Sequence, residues 1–188
     1  MTKRILVITQ YFYPENFRIN DLVLELKNRG HEITVLTGLP NYPKGEYFEG
    51  YSVEKNCDEI WNDIHVYRCK LRPRKTGSLN LVRNYFSFVK AANKKLKELE
   101  DKKFDLIYVF EVSPITVALP AIKIKKKKHI PIIINIQDLW PENIIAVAGI
   151  TNSIIIGLIN IMVNYIYKHC DIILTASPSF VAKIQERV

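Results

Sequence analysis

Short apolar runs alternate along this chain with longer stretches in which apolar residues recur every three or four positions. Ile5-Leu6-Val7-Ile8 is the first run. It is rich in β-branched residues and flanked by polar ones, as a buried parallel strand would be. Tyr13-Pro14-Glu15-Asn16 breaks it. Ile19, Leu22, Val23 and Leu26 then fall at helical spacing, with Asn16 as the expected N-cap and Gly30 as the stop. Ile33-Thr34-Val35-Leu36 is a second strand. The chain thus opens as a strand–helix–strand unit, the building block of a doubly wound sheet.

Residues 38–52 read as a loop punctuated by Gly38, Pro40, Pro43, Gly45 and Gly50. Ile64, Val66 and Tyr67 suggest an added strand or hairpin. Leu81, Phe88, Ala92, Leu96 and Leu99 predict a helix from about Leu79 to Glu100. Asp105 to Phe110 is a further strand, and Ser113-Pro114 starts a helix ending in Lys125 to Lys128. Pro131 to Ile136 is another strand, followed by Gln137-Asp138-Leu139-Trp140-Pro141-Glu142. A short helix up to Gly149, a longer one from Ser153 to Lys168, a strand at Asp171 to Thr175 and a helix opening at Ser177-Pro178 complete the pattern. The sum is one α/β domain, 1–188, a Rossmann-like three-layer sandwich with a mainly parallel sheet.

From Asn143 to Tyr167 no residue is charged. In the longer helix Ser153, Gly157, Asn160, Asn164 and Lys168 line one narrow face and the rest is apolar. A helix of this kind is buried or lies against a membrane; burial is the expectation. A spanning helix is not, because Gly149 to Ser153 interrupt the run and the alternation of strands and helices resumes at Asp171.

The net charge is +8, from 27 basic and 19 acidic residues. It favours anionic partners. Two basic concentrations stand out, Arg68 to Lys75 and Lys123 to Lys128, each read first as a solvated face. Attraction to an anionic membrane leaflet is the functional alternative. No nucleic-acid module is evident, so no nucleic acid is expected. Cys57, Cys69 and Cys170 are far apart and odd in number, which speaks against a disulfide framework or a zinc site. The histidines do not cluster, and no metal is expected. The amino terminus lacks the long apolar stretch of a secretory signal, so the expected location is cytoplasmic, with peripheral contact at the inner face of the plasma membrane as an option.

In sheets of this type ligands bind beyond the carboxyl ends of the strands. The residues of interest are therefore Gln10 to Arg18, Gly38 to Tyr47, Glu111 to Ser113 and Gln137 to Glu142. GxGxxG and GxxxxGK[ST] are both missing, which argues against a dinucleotide or P-loop site. Asn16 and Arg18 at a helix start suit a phosphate oxygen, or only capping. Asp138 and Glu142 flank Trp140: an aromatic face for a sugar ring and carboxylates for its hydroxyls or for a proton. The alternative is that Asp138 caps a turn and Glu142 sits in a first helical turn.

The opening Ile5-Leu6-Val7-Ile8-Thr9-Gln10-Tyr11-Phe12-Tyr13-Pro14-Glu15, with Gly38-Leu39-Pro40-Asn41-Tyr42-Pro43, Ser113-Pro114 and Gln137 to Glu142, resembles family 4 glycosyltransferases of the GT-B fold. The likeness is to bacterial enzymes of capsule, O-antigen (lipopolysaccharide) and colanic acid synthesis, including the fucosamine-transferase-like branch. It implies the acceptor-side domain of a retaining enzyme. The partners it implies are a nucleotide sugar and a lipid-linked or saccharide acceptor. It further implies no cofactor or metal, and a C-terminal donor-binding domain, carrying an E-x7-E pair, that this chain does not contain, so that the chain alone would be inactive. By this resemblance Asp138 is the candidate catalytic residue. Tyr13, Asn16 and Arg18 would shape the cleft near the transferred sugar and phosphate. Asn41 and Tyr42 would close the acceptor side, with Ser113, Trp140 and Glu142 as further substrate contacts. The chain departs from the family in lacking a glycine-rich loop after the first strand and in carrying Glu111 where small residues are common. Two readings compete with an enzyme domain: a docking subunit that recruits a donor-binding chain, and a nucleotide-binding switch.

Overall fold

A computed structural model describes residues 1–55 and 57–187. The elements run β1 (Arg4–Ile8), α1 (Ile19–Asn28), β2 (Glu32–Gly38), β3 (Glu59–Trp61), β4 (Ile64–Cys69), α2 (Ser78–Glu98), β5 (Leu106–Glu111), a 3-10 turn (Ile115–Val117), α3 (Ala118–Lys128), β6 (Ile132–Ile136), α4 (Glu142–Ala148), α5 (Ser153–His169), β7 (Ile172–Thr175) and α6 (Pro178–Gln185). The sheet order is β3-β4-β2-β1-β5-β6-β7. Among the described residues β3 alone runs antiparallel; with β4 it forms an edge hairpin. This is a mainly parallel α/β Rossmann-like sandwich, as the alternation predicts.

Alternation within the strands sorts their side chains onto two faces. Leu6, Ile8, Leu36, Ile107, Val109, Ile132 and Ile134 meet one layer of helices, α2, α3 and α5. Ile5, Val7, Val35, Tyr108 and Phe110 face the other way, towards Ile19 and Val23 of α1. The central strands are buried on both faces, which is why their sequences read as continuous apolar runs. α2 buries Leu81, Tyr85, Phe88, Ala92 and Leu96, a helical stripe, and keeps Lys90, Lys94 and Lys97 outside, while Lys95 folds in against Asp58 (2.7 Å).

Three expectations need correction. Asn16 does not cap α1: Arg18 holds that position, and no side chain caps it. Asn20 braces the loop instead, accepting from the Tyr13 N–H (3.0 Å) and donating to the Glu15 carbonyl (2.8 Å). Arg68 is not part of a solvated face. It is buried, it donates to Glu59 (Nε to Oε1, 3.0 Å) and to the Gly38 carbonyl (3.2 Å), and it reaches the Tyr13 carbonyl. Lastly, α5 is buried on one side only: Val163, Ile166 and Tyr167 join the core, while another apolar line is open. Ile154 is 73% exposed, Leu158 63% and Ile161 68%, while Asn160 and Asn164 are half-buried.

Candidate functional site

The order of the sheet reverses between β1 and β5, so the loops leaving their carboxyl ends diverge and leave room for a ligand. Two buried glutamates organise this edge. Glu15, beyond β1, accepts from the backbone N–H groups of Asn41 (2.9 Å), Tyr42 (2.7 Å) and Phe12 (3.3 Å). It therefore ties the first loop to the one after β2. Burial pushes its pKa up to about 7, against the pull of those three amides. Glu111, at the end of β5, is fully buried and accepts from Ser113 (3.0 Å) and Asp138 (3.2 Å) N–H groups. Burial, with the Asp138 charge beside it, pushes Glu111 up to about 8. Each glutamate is a cross-brace between loops whose backbone amides have no strand partner.

Asp138 itself is half-buried, and desolvation raises its pKa. Among the described residues its carboxylate makes no ion pair. Trp140, 3% exposed, donates from Nε1 to Ser113 Oγ (3.1 Å), which in turn donates to Asn143 Oδ1 (3.1 Å). The Trp140 ring is thus core and anchor, packed 6.1 Å from Tyr85, and is not an open platform for a sugar. The exposed aromatic surface comes from Tyr42, whose ring lies among Tyr11 (5.5 Å), Phe17 (5.4 Å) and the Arg74 guanidinium (5.6 Å).

Arg74 was legible in the sequence only as one member of a basic cluster. Its N–H donates to Asn41 Oδ1 (2.9 Å), and its positive charge draws the Tyr11 hydroxyl's pKa down against the burial that raises it. Among the described residues it has no carboxylate partner. The Tyr85 hydroxyl is raised by burial and feels the charges of Arg74, which lowers it, and of Glu111 and Asp138, which raise it. Gln10 completes the floor, donating to Asn84 Oδ1 (2.6 Å) and leaving its buried Oε1 without a partner among the described residues. Arg74, Tyr85 and Gln10 come from elements distant in sequence, so no local motif announces them.

The structure therefore gathers Asn41, Tyr42, Ser113, Asp138 and Trp140 of the predicted set around the β1–β5 divergence. It holds the others apart. Tyr13 stacks on Trp61 (5.3 Å) towards the β3 edge. Asn16 and Arg18 are exposed beside α1 and, among the described residues, their side chains bond nothing. Glu142 turns towards Arg187, 3.6 Å away, at the α4–α6 contact. No group of three or more His, Cys, Asp or Glu able to hold a metal occurs among the described residues. A groove of about 730 Å³ lies elsewhere, between β4 and α2, and is lined by Lys70, Arg72, Lys90 and Lys94 among others.

An edge at which, among the described residues, the Asp138 carboxylate and the Arg74 guanidinium both lack an ion pair, with Tyr42 exposed nearby, suits a polyhydroxylated ligand carrying negative charge. The family model for glycosyltransferase family 4 matches residues 17–188. The chain belongs to glycosyltransferase family 4. No curated protein matches it. Among solved structures it is similar to sucrose-phosphate synthase from Thermosynechococcus elongatus, with a TM-score of 0.62 and 10% identity. The likeness covers 99% of this chain and 45% of that one, so this family 4 chain spans less than half the length of its structural neighbour. At that identity the likeness shows the fold alone, that of a GT-B amino-terminal domain. No helix among the described residues of this family 4 domain is long and apolar enough to cross a membrane.

Proposed function

We propose that the chain is the acceptor-side domain of a retaining glycosyltransferase, acting on a lipid-linked or saccharide acceptor in the synthesis of cell-surface polysaccharide. The observation that carries this reading is the placement of Asp138: half-buried, without a cation partner among the described residues, and tied through its N–H to Glu111 at the end of β5, where its charge reaches Tyr85. A carboxylate so placed accepts hydrogen bonds from acceptor hydroxyls and orients one for attack on the anomeric carbon. Desolvation makes its charge stronger towards a donor hydrogen bond and readier to take a proton. Arg74 and Tyr42 would hold the acceptor from the other side of the edge. The nucleotide sugar would lie mainly against a second α/β lobe, as in two-domain members of the family, and no metal or other cofactor is invoked.

The test is to incubate the protein, joined to its donor-binding lobe, with a panel of nucleotide sugars and membrane lipids, following products by mass spectrometry. Wild type should yield a glycosylated acceptor, and Asp138→Ala should not, with its melting temperature unchanged. Unchanged turnover in the variant would refute the role given to Asp138.

A second reading, a docking subunit without chemistry of its own, is favoured by the exposed apolar side of α5. It predicts that Asp138→Ala leaves transfer by the assembled enzyme intact.

A further inference from the structure

The arginines of this chain divide by what meets their guanidinium groups. Arg4, Arg29, Arg68 and Arg187 each face a carboxylate, on Asp105, Glu25, Glu59 and Glu142. Arg18, Arg72 and Arg83 are exposed, and water solvates them. Among the described arginines Arg74 alone combines half-burial with the lack of an ion pair. Its neighbours are aromatic. The guanidinium lies 5.6 Å from the Tyr42 ring centre, and its charge lowers the hydroxyls of Tyr11 and Tyr85, both buried, against the burial that raises them. An aromatic ring engages the flat face of a guanidinium and leaves its edge, where the N–H donors lie, to other groups.

The segment that carries Arg74 is fixed from two sides. On one side α2 holds it: the Arg72 N–H donates to Ser87 Oγ (2.9 Å), and the Arg72 carbonyl accepts from Asn84 Nδ2 (2.5 Å). On the other the loop after β2 holds it. The Arg74 N–H donates to Asn41 Oδ1 (2.9 Å) and the Lys75 N–H to the Gly45 carbonyl (3.3 Å). Glycine is needed there, because φ at Gly45 is +79° and a Cβ would meet the Lys75 nitrogen at 2.8 Å. Asn41 is itself fully buried, and its N–H donates to Glu15 (2.9 Å). A group mounted in this way loses little freedom when a ligand arrives.

A partly desolvated cation without a counter-charge is costly, and the guanidinium fork matches a carboxylate or a phosphate in two-pronged fashion. We propose that Arg74 is the specificity-determining residue of this edge: it reads a carboxylate or phosphate group carried by the acceptor sugar, so that the acceptor is an acidic or phosphorylated saccharide. The proposal rests on the acceptor-side reading above and narrows it. Asp138 takes a hydroxyl and Arg74 the charged substituent of the same sugar, and the Tyr85 hydroxyl feels both charges. A neutral sugar leaves the guanidinium unpaired, and that penalty is the source of discrimination.

The test follows the Arg74 Nε–H signal of the nitrogen-15-labelled chain by nuclear magnetic resonance, assigned by its loss in Arg74→Gln. The probes are glucuronic acid, glucose 6-phosphate, glucose and uridine diphosphate. The two acidic sugars should shift the signal and glucose should not. Arg74→Gln should weaken acidic-sugar binding, read on the backbone amides, by about tenfold or more. Arg74→Lys, which keeps the charge and loses the fork, should weaken it less. Arg83→Gln should bind like wild type, and equal melting temperatures check that all variants are folded. Equal shifts with glucose, no binding of either acidic sugar, or unchanged binding by Arg74→Gln would overturn the inference. So would a shift with uridine diphosphate and with neither acidic sugar, which would hand Arg74 to the phosphates of the donor. In the two-lobed enzyme Arg74→Gln should raise KM for the acceptor about tenfold with kcat little changed, whereas Asp138→Ala removes kcat. Transfer to a neutral acceptor, equal in wild type and Arg74→Gln, would sink this inference and leave the role of Asp138. Acidic-sugar binding that Arg74→Gln loses, with transfer intact in Asp138→Ala, would do the reverse.

Discussion

The two edges of one sheet treat their acids in opposite ways. At the amino edge, Asp105 takes Arg4 in a two-pronged contact (3.1 and 2.7 Å) and accepts the Arg4 N–H (2.9 Å), which holds it well below the usual carboxylate range. Asp171 is raised by desolvation, yet Lys125 (2.6 Å) and the Ile132 N–H (2.7 Å) bring it down overall. At the carboxyl edge, Glu15, Glu111 and Asp138 are all raised, and none is in an ion pair among the described residues. The first arrangement is what folding alone would favour. The second leaves carboxylates desolvated and short of charge partners, a condition that marks sites where a ligand or a proton is to be handled.

That contrast can be broken by substitution. The largest effect expected is on chemistry: Asp138→Asn should lower transfer by about a hundredfold or more, while Asp105→Asn leaves transfer alone. Product assays on both variants measure it, and equal losses would erase the distinction between the edges.

The next effect is on stability against pH. Glu111 goes from 4.5 to about 8 on folding, so the folded state holds its proton more tightly. Its contribution is greatest below about pH 4.5 and is lost as pH rises towards 8, at about 1.4 kcal/mol per pKa unit. Glu111→Gln should flatten that decline in urea melts between pH 5 and 9. A wild-type stability that does not fall over this interval would count against the buried, protonated glutamate.

Smaller again is the effect of crowding the carboxyl edge. A Cβ at Gly38 would meet Leu71 Cδ2 at 2.2 Å and the Gln10 carbonyl at 2.9 Å. Gly38→Ala should cost about 1–3 kcal/mol in denaturant unfolding. The Gln10 loop would also shift, so transfer should fall with it. The smallest effect belongs to the amino edge. Asp105→Asn removes a surface pair with folded pKa below the unfolded value, so the stability it supplies is present above the unfolded pKa and fades as pH falls through the acid range. A melting-temperature loss of ~2 °C at pH 7 that shrinks towards pH 2 is expected.

Much of the fold was legible because local signals agreed. Ile5 to Ile8 and Ile33 to Leu36 are strands largely buried on both faces, and Ile132 to Ile136 is buried on one face and half-buried on the other; their apolar runs mark all three. Proline and glycine marked the turns between them. Where one signal had two physical outcomes, the structure chose. The apolar length of α5 was read as burial, and the structure buries one side of it, Val163, Ile166 and Tyr167, while Leu158 and Ile161 stay exposed. Trp140 was read as a sugar platform, and its burial and its bond to Ser113 Oγ put the ring in the core. Arg68 was counted with the surface cations because charge alone does not reveal a buried partner such as Glu59.

The sequence by itself determined the alternation of strands and helices and the loops between them, because periodicity and turn residues act over a few neighbours; the family was legible through the resemblance of its motifs. Only the tertiary structure decided which of those loop residues meet. Arg74, Tyr85, Ser113 and Asp138 come from separate elements, and Glu15 and Glu111 are raised by burial that no local pattern records. Proximity and desolvation are properties of the packed chain, and they exist only once the sheet has closed its two faces.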